Sequence, residues 1–434
     1  MNRLSYQMYE MALMSLVPAR ALSDLTQLAL KSPINPFAQT PMGKKLAASA
    51  ELFERMTRRY DKPRFGFDTT SVNGTKVAVT EQIIWEKAFC SLIHFKRETT
   101  LKKPQPKLLI VAPMSGHYAT LLRGTVEAFL PSHEVYITDW ADARMVSASE
   151  GRFDLDDYID YLIEICEVLS RDLSGVGLHT LGVCQPSVPL LAAVARMEAE
   201  NLSFAPASMT LMGGPIDTRK SPTAVNKLAQ ERGTAWFSRN CIQTVPFPYP
   251  GTGRSVYPGY MQLTGFMAMN YDRHVSAHKD MFDHLVRGDG DLADKHREFY
   301  DEYLAVMDLT AEYYLQTVAT VFVDHSLPDG KMLHRGKPVD LKAIKNCGLM
   351  TVEGENDDIS GIGQTYAAQE LCVNIPANRK VDYMQKGVGH YGVFNGSRFR
   401  SEIAPRIADF IANIEYETHG SKKVIAPVKV KVSA

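Results

Sequence analysis

The chain has 434 residues, 45% of them apolar and 22% charged, which is material for one large core or two smaller ones. Its 48 Lys and Arg offset 49 Asp and Glu, so no basic face for nucleic acid is expected. Six cysteines (Cys90, Cys166, Cys184, Cys241, Cys347, Cys372) fall without paired spacing or a C-x-x-C. That excludes a disulfide framework and a zinc site and points to reduced thiols in a cytoplasmic protein.

The opening stretch "MNRLSYQMYEMALMSLVPARAL" is partly apolar, but Glu10 interrupts it and no small-residue cleavage site follows. No window approaches the roughly 20 apolar residues of a membrane span. Residues 5–60 read as helical, with Tyr6, Met8, Tyr9, Ala12, Leu13 and Leu16 at helical spacing and a second amphipathic stretch at 44–59. From Thr75 the pattern changes to four strand-like runs, "TKVAVTEQ", "FCSLIHFKR", "KLLIVAP" and "EVYITD". A helical pattern at 155–169, the strand "GLHTLGV", a helix at 188–200 and the strand "SMTLMGG" follow. This alternation predicts an α/β fold, a mostly parallel sheet with helices on both faces. It fails between Pro215 and about Lys345, where no clear sheet strand is legible, and resumes with "NCGLMTVEGEND", "KVDYMQKGVGH" and a closing helix at 401–414. The expected organisation is a helical extension (1–62), a core in two parts (63–214 and 346–420), an inserted cap or lid (215–345) and a basic tail (421–434).

"TLGVCQPSVPLLAAV" places Cys184 between a strand and a helix, the context of a nucleophile elbow, here Gly182-Val183-Cys184-Gln185-Pro186. Such a turn aims its central side chain out over the sheet and leaves the next backbone N–H, that of Gln185, free for an oxyanion. A buried structural cysteine would look the same in isolation. Two further residues decide the reading, because the α/β-hydrolase order is nucleophile, acid, histidine. "TVEGENDDISGIG" puts Asp357 just beyond a strand, and "QKGVGHYGVFNG" puts His390 in the loop after the next. Asp358 competes with Asp357, and the spacing from Gly354 favours Asp357. The second half of an oxyanion hole normally comes from the loop after the third strand, here "VAPMSGHYATLLRG", with Ser115 and Gly116 as the candidate backbone donors, although a plain turn glycine would look the same as Gly116. Chemistry follows from these types: a thiolate nucleophile, a histidine acid–base, a carboxylate holding its tautomer, and no metal or cofactor.

These three stretches, with "APMSGHYATLLRGTVEAFLP" and the "SYQMYEMAL" preface, resemble the intracellular poly(3-hydroxybutyrate) depolymerases over most of the chain. The resemblance implies the α/β-hydrolase fold, with Cys184, Asp357 and His390 as the triad. It further implies hydrolysis of amorphous storage polyester at cytoplasmic granules, giving 3-hydroxybutyrate or short oligomers. Two alternatives differ in class: a polyhydroxyalkanoate synthase using hydroxyacyl-CoA, where Asp358 stands in place of the synthases' usual histidine, and a non-catalytic granule-binding protein. In the cap, Trp236, Phe237, Phe247, Tyr249, Tyr257, Tyr260 and Phe266 are expected mostly to pack against the core. A minority, with Tyr257, Tyr260 and Trp236 foremost, are expected to line an apolar mouth for the polymer.

Overall fold

A computed structural model describes residues 3–32, 34–99, 104–269 and 271–419; the basic tail expected at 421–434 lies outside the described residues. Three helices open the chain, α1 (Arg3–Ser15), α2 (Val17–Lys31) and α3 (Pro41–Thr57). In α3 the Thr40 hydroxyl accepts from the Gly43 N–H at 3.0 Å, and Pro41 occupies a first-turn position where no intrahelical N–H is needed. The α1 face differs from the expected one: Tyr6 is buried, whereas Met8, Met11 and Met14 are all more than half exposed. Tyr6 sets this rotation by donating its hydroxyl to Asp308 at 2.6 Å, and α3 is ion-paired to the inserted segment through Arg55–Asp301 and Glu51–Arg297.

The strands then run β1 (Thr69–Val72), β2 (Thr75–Lys87), β3 (Cys90–Arg97), β4 (Lys107–Val111), β5 (Glu134–Trp140), β6 (Leu178–Val183) and β7 (Ser208–Met212). Within the segment read as lacking strands, β8 (Gln243–Thr244), β9 (Ser255–Tyr257) and β10 (Leu309–Thr310) form a small separate sheet, and β11 (Leu333–His334) pairs with β12 (Lys337–Pro338). The expectation missed them because strands of two or three residues carry no period. None joins the main sheet, which β13 (Gly348–Gly354) and β14 (Lys380–Gln385) complete.

The main sheet has nine strands in the order β1-β2-β3-β5-β4-β6-β7-β13-β14. From β5 to β14 all neighbours are parallel, and β1 to β3 are appended antiparallel. The strands β6, β7 and β13 are buried along their whole length, as expected of a parallel sheet covered on both faces. The helix Leu155–Ser170 covers one face with Leu155, Tyr158, Ile159, Leu162, Ile165, Cys166 and Leu169, and starts at a capping box between Asp154 and Asp157. The helix Ser187–Ala199, rooted at the end of β6, is buried on nearly every side. This strand order, with a strand-to-helix turn after β6, is the α/β-hydrolase fold.

Candidate active site

Cys184 occupies the turn between β6 and the helix Ser187–Ala199 with φ +66°, a left-handed conformation that is strained for a side-chain-bearing residue. The strain is held by neighbours. The Cys184 N–H donates to the Met212 carbonyl at 2.7 Å, and its own carbonyl accepts from Ser187 at 3.0 Å. Pro186 precedes the helix and Pro189 lies in its first turn, where a missing N–H breaks no helical bond. Of the six cysteines, Cys184 alone escapes full burial.

Asp357 follows β13, and His390 follows β14. The two loops are stitched together by Glu355 N–H to Gln385 O (3.0 Å) and Asn356 N–H to Val388 O (2.9 Å). His390 Nδ1 lies 2.8 Å from Asp357 Oδ2, while Asp357 Oδ1 accepts the N–H groups of Ile359 (2.9 Å) and Ser360 (2.8 Å). Both side chains are buried. Burial by itself pulls the His390 imidazole down, but the charge of Cys184 and the Asp357 carboxylate, each also hydrogen-bonded to it, hold it well above its ordinary value. The structure therefore brings Cys184, His390 and Asp357 to one point. Asp358 is exposed, whereas Asp357 is buried against His390.

Several residues at this point were not singled out in the sequence. Gly213 (φ +55°) and Gly214 follow β7 and run beneath Cys184, His390 and Asp357. A Cβ on Gly213 would lie 3.3 Å from both Asp357 Oδ2 and His390 Cε1, and one on Gly214 would lie 2.1 Å from Ser187 Oγ. The Glu353 carboxylate, at the end of β13, accepts the backbone N–H groups of Gly363, Thr365 and Tyr366 and so fixes the loop beyond the acid. Thr365 in turn receives the Gly214 N–H at 2.7 Å and donates to the Gly214 carbonyl at 3.0 Å. A glutamate inside the apolar run "LMTVEG" and the doubled glycine of "LMGGP" were the available signals. On the histidine side the rings of Tyr391 and Phe394 pack within about 6 Å of His390, Tyr303 meets Tyr391 at 6.1 Å, and His117 meets Tyr303 at 5.3 Å.

In the loop after β4, Gly116 has φ +109°, and a Cβ there would lie 2.7 Å from Gln262 Oε1. Its carbonyl accepts from Met307 at 2.7 Å, so this loop is tied to the inserted segment. Gln185 is nearly buried beside Cys184. The three cap aromatics are placed in other packing: Tyr257 stacks on Tyr314 at 4.0 Å, Tyr260 stacks on Tyr9 of α1 at 4.0 Å, and Trp236 meets Phe237 edge-on at 5.1 Å. Among the described residues no helix is long and apolar enough to cross a membrane.

Comparison with known proteins agrees with this layout. Residues 213–415 match the family model described as PHB de-polymerase C-terminus. A curated relative, the poly(3-hydroxyalkanoate) polymerase subunit PhaC of Haloferax mediterranei, is 21% identical over 84% of this chain and 69% of its own length. Solved structures similar to this chain include a putative lipase from Acinetobacter baumannii (13% identity, 78% of this chain and 93% of that one, TM-score 0.42). An esterase from Thermogutta terrifontis also aligns (11%, 80% and 98%, TM-score 0.39). At such scores the fold rests on the strand order and the elbow, not on these likenesses.

Proposed function

We propose that this α/β-hydrolase, whose residues 213–415 match the PHB de-polymerase C-terminus model, hydrolyses the ester bonds of amorphous poly(3-hydroxybutyrate) at granule surfaces. The observation that carries this reading is the strained Cys184 at φ +66° facing a buried His390–Asp357 pair. The Cys184 thiolate attacks the ester carbonyl, and the N–H groups of Gln185 and of Ser115 or Gly116 hold the oxyanion. His390 protonates the departing alkoxide, so the ester C–O bond breaks and a thioester remains. Acylation also abolishes the thiolate charge, the first of the two attractions that keep His390 protonated. Having given its proton to the alkoxide, and with burial now opposed by Asp357 alone, His390 stays a neutral imidazole; it takes a proton from water as the hydroxide adds to the thioester carbonyl, and collapse of that adduct breaks the C–S bond, releasing the carboxylic acid and the Cys184 thiolate.

A polyhydroxyalkanoate synthase reading is favoured by the PhaC relative and would use the same nucleophile on a hydroxyacyl-CoA. What favours the polyester is that Asp358 follows the acid where the synthases usually carry a histidine. One experiment separates the readings. Release of soluble 3-hydroxybutyrate or its oligomers from amorphous polymer supports the depolymerase, coenzyme A release from 3-hydroxybutyryl-CoA supports the synthase, and neither supports a binding protein.

A further inference from the structure

Gln185 carries a side chain that its expected role as a backbone donor does not use. Its carboxamide is 9% exposed, and Oε1 accepts the Met114 N–H at 3.4 Å, reaching from the elbow to the loop that holds Ser115 and Gly116. That bond orients the amide so that Nε2 faces the other way, and Nε2 is buried without a partner at hydrogen-bond distance. Facing it is Tyr313, 1% exposed, from the helix Ala311–Thr317 of the inserted segment. The Tyr313 hydroxyl lies against Gln185 and Thr317 and within reach of the charge on Cys184, yet it closes no hydrogen bond, and neither does the buried Thr317 hydroxyl. The Tyr313 ring cannot swing away, because it stacks on Tyr158 at 5.7 Å and packs on Phe153 at 6.1 Å. Directly beyond Thr317 the helix widens into a π-helical stretch, Val318–Val323, a local irregularity often found where a helix serves a site.

We infer that the Gln185 side chain and Tyr313 are positioning residues that set the oxyanion hole and couple it to the inserted segment. The carboxamide bridges the two backbone segments whose N–H groups converge on the oxyanion, and Tyr313 fixes the far end of that bridge. The contacts are long at rest, as catalytic hydrogen bonds often are before a transition state forms, and they shorten as the inserted segment settles on a bound ester. A buried polar chain of this kind is rigid once closed and loose while open, so it transmits the position of Tyr313 to the donors.

This inference rests on the ester-hydrolysis reading, and its test separates the two. Hydrolysis of p-nitrophenyl butyrate builds an oxyanion, whereas alkylation of Cys184 by iodoacetamide is displacement at saturated carbon and builds none. Gln185→Met removes both hydrogen-bonding ends at similar volume and should lower kcat by about 10- to 100-fold with KM nearly unchanged, less than the roughly 10²–10³ that outright removal of one oxyanion donor costs, because the donors are displaced and not deleted. Tyr313→Phe should lower kcat by several-fold. Alkylation rates of Cys184 should stay within about twofold of the native protein in both variants. If alkylation falls in step with hydrolysis, the substitutions have displaced the elbow and the bridge is merely structural. Native kcat in Gln185→Met overturns the inference alone, while absence of ester turnover by the native protein overturns the reading beneath it.

Discussion

Replacing Asp357 with asparagine should lower kcat by about 10⁴, and the direction of that loss is set by three hydrogen bonds. Oδ1 accepts two backbone N–H groups, from Ile359 and Ser360, and Oδ2 faces His390 Nδ1. An asparagine must keep its oxygen at the first end, because an NH2 there would confront two donors in a buried site and leave them unpaired at about 1–3 kcal/mol each. Its NH2 is then forced onto His390 Nδ1, which has to accept rather than donate, so the ring proton moves to the nitrogen facing Cys184. A ring in that tautomer cannot take the thiol proton. A 10⁴ loss corresponds to about 5.5 kcal/mol of barrier at 1.36 kcal/mol per decade. Asp358→Asn, on an exposed residue outside these bonds, should change kcat by no more than a few-fold. Both variants are to be assayed on a soluble butyrate ester and on amorphous polymer. An Asp357→Asn protein that keeps more than about a tenth of native kcat, or an equal loss at Asp358, would refute the reasoning.

Gly214→Ala puts a Cβ 2.1 Å from Ser187 Oγ and 3.0 Å from the Cys184 carbonyl, so the elbow must move; about 1–3 kcal/mol of stability and most activity should be lost. Gly265→Ala, with no atom within 4 Å of the new Cβ, is the control and should leave activity and melting temperature unharmed. His117 and His133 are buried, and burial pulls them to about 4 and about 3. Because the unfolded chain binds those protons near pH 6.5, stability should decline as pH falls from about 6.5 to 5, read as a lower urea midpoint. His390, raised instead, works in the opposite sense, its contribution full below about pH 6.5 and lost at higher pH, so a midpoint that is flat or rising toward pH 5 contradicts the assignment of the buried pair. Tyr260→Ser breaks the stack with Tyr9 and the hydroxyl's bond to Gln243, and should lower melting temperature and both polymer and soluble-ester activity together. Loss of polymer attack alone, at unchanged melting temperature, would return Tyr260 to the mouth of the cleft.

The sequence carried the parallel sheet because β4, β6, β7 and β13 are buried apolar runs, and such runs read the same in a chain as in a fold. The approach of Cys184, Asp357 and His390 was legible for a related reason. Cys184 and Asp357 follow such strands, β6 and β13, and His390 follows β14, the half-exposed edge strand paired with β13, so strand order fixes their meeting without any knowledge of side-chain contacts. The β1–β2 hairpin was legible but passed over: Asn73 (φ +51°) and Gly74 (φ +81°) form the two-residue turn that Asn-Gly announces. What could not be read was long-range pairing of polar groups. Nothing in "SYQMYE" tells that Tyr6 will meet Asp308, or in "DLTAEYYL" that Tyr313 will face Gln185. The aromatic run in the cap shows the same limit, since composition marks Tyr257 and Tyr260 as ring-rich but not that their partners are Tyr314 and Tyr9.

The pairing of β7 with β13, Met212 against Val352, has a bearing on how the protein is made. All of residues 213–347 must leave the ribosome before β13 exists, which at about 5–20 residues per second takes roughly 7–27 s. Through that interval the half-built sheet ends at β7, whose Met209, Leu211 and Met212 are fully buried in the finished protein. An unpaired apolar strand is a template for another chain. Placing residues 213–347 between two neighbouring strands thus leaves the nascent chain with a sticky edge through that interval, and the same insertion keeps Asp357 and His390 out of reach of Cys184 until β13 and β14 have been translated.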